Sequence, residues 1–341
     1  MTDLVDVRMA ARFAARFAAP GPLDRSYLLD GLDSSFIDLV REAEPLIADQ
    51  TGFAPARPAV PRVLSRAEWA TSNIESMLTL INPLLDKVEK RIQEHRSPPA
   101  MRLAYRSALG AQLGSVLGFL SQRVLGQYDV LMGHEDEVWF VGPNIIVTER
   151  RFGFLPRDFR LWVALHELTH RFQFEANPWV RDHFLSSVNE LLNSMEVDPR
   201  NLLERMVEAL RQGNGSSALA VRLLSPEQIE LFNKLQAFMS VIEGHANFVM
   251  DRVAEDRIPS QPRMRKELDG SSPGGVLGKL IGKVLGLDLK KAQYREGQKF
   301  FNEVFRAGGL DAVRTCFNSP ETLPTLDEVR TPERWIQRIS L

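Results

Sequence analysis

The chain has 341 residues, 44% of them hydrophobic and 25% charged. That composition excludes a disordered polymer and allows one large or two modest domains. The 42 Lys and Arg against 44 Asp and Glu leave a net charge of −2, so no global field draws the protein to nucleic acid or anionic lipid. A single cysteine, Cys316, excludes a disulfide framework and a Cys-rich zinc ribbon. Any metal must then be held by carboxylates and the six histidines.

From the N-terminus, Leu4–Ala19 places apolar residues at helical spacing and stops at Pro20-Gly21-Pro22. No secretory apolar core and no run of about 18 apolar residues occurs, so the expectation is a cytoplasmic protein without an integral membrane segment. Residues 23–55 read as a helix, Gly52–Pro61 with its three prolines as an extended connector, and 65–95 as a strongly periodic helix. A further helix over 100–126 carries Gly110, Gly114 and Gly118 at a spacing of four, which permits close helix–helix approach inside a bundle. The texture turns β-like at Tyr128–Met132, Val138–Val141 and Asn144–Thr148.

Helical periodicity returns from Pro156, with Asp158 as the expected N-cap, and runs to about Asn177-Pro178. Residues 180–211 read as helical with a break at Asp198-Pro199. Ser225-Pro226-Glu227 starts a long helix reaching about Arg257, and 258–275 reads as a mobile loop. The chain then reads as helical to Ala307 and closes in a Pro-punctuated tail. This organisation gives an N-terminal helical extension over 1–22, a helical subdomain over 23–127 and a metal-binding region over 128–341, the last two forming one compact unit. The fold class expected is α+β, mainly α, with one small sheet.

The chemistry concentrates at His166-Glu167-Leu168-Thr169-His170, an H-E-x-x-H motif. Two histidines four residues apart share one helical face and reach one ion; Glu167, about 100° around the axis, is placed to contact a water on that ion rather than the ion itself. Zn²⁺ held this way acidifies the water, and the carboxylate takes its proton. A catalytic zinc site needs a third protein ligand. The pattern that would supply it just downstream fails, since Gln173 and Ala176 stand where Gly and His are required. The preferred ligand is Glu243 in Val241-Ile242-Glu243-Gly244-His245-Ala246-Asn247, at the edge of an apolar stripe where a carboxylate is costly unless it meets a metal or a partner. His245 is the rival ligand and alternatively an oxyanion donor; Asn247, one turn on, could orient a ligand by hydrogen bonding.

The HELTH motif followed by an EGHA-type helix resembles the gluzincin branch of the zincin metallopeptidases. More closely, VALHELTHRFQFE, VIEGHANFVMD, LGLDLKKAQYREGQKFFNEVFRAGGLDAV and LPTLDEVRTPERWIQRI resemble the actinobacterial zincin-like family DUF2342, associated by name with coenzyme F420 biosynthesis. The resemblance covers roughly residues 25–341. It implies a zincin-like fold, zinc on His166, His170 and Glu243, Glu167 as general base, and a peptide or protein substrate; it implies no F420-binding residue. In such folds an edge strand holds extended peptide, and Val138–Val141 or Asn144–Thr148 is the strand expected to do so. Ligands 73 positions apart, His170 and Glu243, depart from the short spacing of thermolysin-like enzymes. Two readings from other classes are a non-catalytic, metal-stabilised scaffold and a membrane-surface protein using 1–19 or the amphipathic 274–286. His134, in a charged turn, reads as a surface residue.

Overall fold

The structure is a computed structural model describing residues 4–19, 21, 23, 26–94, 98–131, 136–195, 225–269 and 291–340. The helices are α1 (Val7–Phe17), α2 (Leu32–Thr51), α3 (Arg66–Glu94), α4 (Pro99–Ser121), α5 (Gly142–Phe152), α6 (Pro156–Glu175), α7 (Pro178–Ser194), α8 (Pro226–Arg257), α9 (Gln261–Asp269), α10 (Lys291–Thr315), α11 (Leu326–Arg330) and α12 (Pro332–Ile339). Among the described residues the strands β1 (Val60–Leu64), β2 (Gly126–Tyr128) and β3 (Glu137–Val141) form one sheet in the order β1-β3-β2. β1 runs parallel to β3, and β2 runs antiparallel to it, with Gln127 opposite Trp139. The mainly helical α+β architecture expected from the sequence is the one observed.

The helices are placed by their buried faces and by glycine-lined crossings. α1 lies on α4, and its N-cap Asp6 accepts from the Met9 amide. A Cβ added at Gly110, Gly114 or Gly118 would come within 2.1–2.6 Å of the backbone oxygens of Asp6, Ala10 and Ala14. The four-residue glycine spacing is thus the imprint of one helix on another. α8 and α10 cross the same way: a Cβ on Gly244 would stand 2.4 Å from the carbonyl carbon of Gly297, and one on Gly297 would stand 2.1 Å from the Ser240 oxygen. The α8 N-terminus is closed by a capping box of Ser225 and Gln228. α8 therefore starts at a defined residue and is buried along most of its length, from Phe232 to Ala254.

Several local expectations are corrected. Asn144–Thr148 is not a strand but the middle of α5. Pro143 occupies the first turn, where its fixed φ favours a helix, and the Asn144 amide donates to the carbonyls of Ser121 and Val124 at the end of α4. The connector ending at Pro61 runs into β1. A proline there removes one ladder donor, which an outer strand tolerates. β2 begins two residues earlier than expected and ends at Tyr128, because the next residue, Asp129, accepts the Leu131 amide on its own side chain and turns the chain out of the sheet. Asp158 is not the N-cap of α6 but lies in its first turn, accepting the Ser260 hydroxyl.

The expected loop 258–275 contains α9. This helix is fixed by buried Met264, by Arg263 donating to the carbonyls of Phe152 and Gly153, and by the Arg265–Asp251 ion pair. The break at Asp198-Pro199, the segment 274–286 and His134 lie outside the described residues. No described helix is long and apolar enough to cross a membrane.

Gly244→Ala is expected to destabilise the protein by about 1–3 kcal/mol, because a methyl group there must push α8 and α10 apart. A lowered denaturant midpoint at unchanged slope is the readout.

Candidate metal centre

α6 and α8 pack against one another, and their contact faces bring together residues 73 positions apart in sequence. His166 and His170 project from α6, and Glu243 projects from α8. The two Nε2 atoms are 3.2 Å apart, and Glu243 Oε2 lies 3.7 Å from that of His166 and 3.9 Å from that of His170. Among the described residues these three form the group of His and carboxylate side chains able to hold one ion. A tetrahedral ion with bonds of about 2.0–2.1 Å spaces its ligand atoms about 3.3–3.4 Å apart, close to what the side chains already adopt. Two nitrogens and one carboxylate oxygen also match the donor chemistry of zinc.

The tautomers follow from the surrounding hydrogen bonds. The Gln173 amide nitrogen donates to the Ile242 carbonyl at 2.9 Å, which fixes the amide's orientation, since a carbonyl can only accept. Gln173 Oε1 must therefore accept from His170 Nδ1, 2.9 Å away, leaving His170 Nε2 with a lone pair aimed into the cluster. His166 Nδ1 lies 3.2 Å from the Met250 sulfur, and its Nε2 faces that of His170. Two imidazole Nε2 atoms and a carboxylate oxygen converge at close to the spacing that one ion requires, so the residues present fit a metal ion.

Glu167 is 6% exposed and stands beside this group. Burial, reinforced by the neighbouring Glu243 charge, raises its pKa to about 8, while a hydrogen bond from the Tyr128 backbone N–H works in the opposite direction. The space for its side chain exists because residue 126 has none: a Cβ on Gly126 would lie 2.7 Å from Glu167 Cγ. β2 and α6 thus meet at a contact that a larger residue would close.

His245 does not join the three. It is fully buried, its Nδ1 accepts from the Gln173 amide at 2.9 Å, and its ring is enclosed by Phe53, Phe248, Phe301 and Phe317. Burial drives its pKa down to about 3, so it is neutral. Its Nε2 has no hydrogen-bond partner among the described residues and is buried away from the cleft, which removes the geometric basis for an oxyanion role. Asn247 is half-buried one turn beyond Glu243; the hydrogen bond that orients a ligand comes instead from Gln173. The sequence held a signal for Gln173: it lies three residues after His170, hence on the same helical face.

A cleft open to solvent, about 580 Å³ when the open space at its mouth is included, lies against this cluster, bordered by β2, α3, α6 and α8, with Glu167, His170 and Glu243 in its wall. β2 is the terminal strand of the sheet and borders the cavity. β3, one of the two segments expected to hold an extended peptide, is central, and the other is helical.

A family model described as zincin-like metallopeptidase matches residues 5–336. A crystal structure of a candidate hydrolase with a novel fold from Chloroflexus aurantiacus is similar to this chain at 33% identity and a TM-score of 0.72, over 99% of each chain. No curated protein matches.

Gln173→Met is expected to weaken zinc binding by about 10–100-fold, as measured by competition with a chelating dye. Asn247→Ala is expected to stay within about twofold of the parent, since no ligand-orienting bond is lost.

Proposed function

This chain belongs to the zincin-like metallopeptidase family, and from that premise we propose that it is a zinc-dependent peptidase, with His166, His170 and Glu243 as ligands and Glu167 as general base. The observation that carries this reading is the convergence of two imidazole Nε2 atoms and one buried carboxylate oxygen within 4.8 Å of one another, with a second buried carboxylate at their side. A bound zinc ion supplies Lewis acidity at that point, acidifying water and polarising a carbonyl.

The remaining work falls to the chain. Glu167 takes a proton from the attacking water on its carboxylate and returns it to the nitrogen of the leaving amine. Its raised proton affinity suits the holding of that proton between the two transfers, and a neighbouring cation lowers it toward the range where the carboxylate is free to accept. The Tyr128 N–H fixes the carboxylate, and Gly126 leaves it room. An extended peptide laid along the outer edge of β2 would run past Glu167 in the orientation that strand addition provides. Apolar walls around the cavity exclude bulk water and strengthen the electrostatic contacts within it.

Glu167→Gln is expected to retain one zinc per chain while losing about 10²–10⁴-fold in peptide hydrolysis. Metal analysis paired with a peptide-library cleavage screen of both proteins checks this, and wild-type rates in the variant would reject the general-base role. Removal of metal by a chelator is expected to abolish cleavage, and stoichiometric zinc to restore it.

A further inference from the structure

The cavity beside the metal cluster has a polar end that neither metal binding nor proton transfer uses. Asp129 is 3% exposed and lines the cavity. Its Oδ2 accepts the Ser76 hydroxyl and its Oδ1 the Leu131 amide, both at 2.9 Å and both from neutral donors. Next to it Gln127 donates its amide nitrogen to Asn73 Oδ1, while Gln127 Oε1 is buried without a hydrogen-bond partner among the described residues. The turn at Asp129 does not require a charge, because an asparagine oxygen would accept the same two bonds. A full carboxylate and a vacant carbonyl oxygen, buried together, are acceptors in search of a donor.

The rest of the wall says what shape the donor has. Val130, Leu131, Phe174, Met239 and Ile242 make the approach to this end apolar. An apolar sleeve ending in a carboxylate and a carbonyl complements a long aliphatic stem that ends in an ammonium or guanidinium. Asp129 is the carboxylate of this wall that lies apart from Glu167 and the His166, His170 and Glu243 group. We propose that Asp129 and Gln127 form a specificity subsite for a basic residue, Lys or Arg, next to the bond that is cut. Its description as a substrate subsite rests on the peptidase reading; the recognition of a long cationic side chain does not.

Two measurements separate the two claims. In the first, the zinc-loaded full chain is given pairs of N-acetylated peptides differing only in Lys or Arg against norleucine at one scanned position. The basic member is expected to be cleaved with about 10–100-fold higher kcat/KM at one position, and Asp129→Asn to bring that ratio to within about threefold. Equal cleavage of both members by the wild type, or an undiminished preference in Asp129→Asn, would overturn the subsite. So would a requirement for a free N-terminus, which assigns the same acceptors to an α-amino group.

In the second, n-butylguanidine is titrated calorimetrically into wild type, Asp129→Asn and Gln127→Leu, with circular dichroism confirming that each is folded. Binding at least tenfold tighter to wild type than to either variant is expected, and n-pentanol is expected not to compete. No binding to wild type would overturn the proposal whether or not peptides are cut. Binding that depends on Asp129 in a protein that cuts no peptide would uphold it and overturn the peptidase reading instead.

Discussion

The amide of Gln173 is bonded at once to both halves of the metal cluster, and the geometry of the site follows from that. Its oxygen accepts from His170 on α6; its nitrogen donates to the Ile242 carbonyl, immediately before Glu243 on α8, and to His245. A rotation or slide of α6 along α8 breaks at least one of these bonds inside the protein, where water cannot replace it. The same amide settles where the protons lie. An oriented amide fixes the tautomer of His170 on one side and that of His245 on the other, so the lone pair on His170 Nε2 does not depend on solvent. His245, set in its ring of phenylalanines, acts as a neutral wedge that holds Gln173 in place.

On another face α6 is tied down by charge. Arg171, fully buried, reaches Glu44 at 3.1 Å, Glu175 at 2.7 Å and the Arg57 carbonyl at 2.6 Å. One helix therefore carries a satisfied cation toward α2 and the segment before β1, and a set of converging acceptors toward the cavity. The asymmetry has a physical logic: the structural charge is neutralised within the fold, whereas the acceptors on the cavity side are left for a group that comes from outside. β2 completes that side, because Gly126 admits Glu167 and the Tyr128 amide anchors it.

Much of this was legible from spacing. H-E-x-x-H puts two histidines on one face of α6, the carboxylate at the edge of an apolar stripe lies beside them, and the glycines every fourth residue mark the crossing of α1 on α4. Short apolar runs were less legible. Asn144–Thr148 and Val138–Val141 look alike locally, and only the position of Pro143 and the capping of α4 by the Asn144 side chain make one a helix. β1 was hidden by Pro61 and by a pairing with β3 that spans more than seventy residues and leaves no local trace. The orienting role passed from Asn247 to Gln173 for a similar reason. Helical spacing puts both near a ligand, but the choice depends on how two distant helices are turned against each other. The acceptors at Gln127 and Asp129 carried no motif at all and became visible only as a cavity wall.

The separation of the ligands also bears on how the protein matures. His170 and Glu243 are 73 residues apart, so a chain leaving the ribosome presents the H-E-x-x-H pair long before its third donor exists. Until α8 has docked on α6, a captured ion would be held by two imidazoles alone, a weak and exchangeable site. With zinc held as proposed, loading would be a late event coupled to the final packing of α8, and the ion would act as a cross-link that closes a long loop.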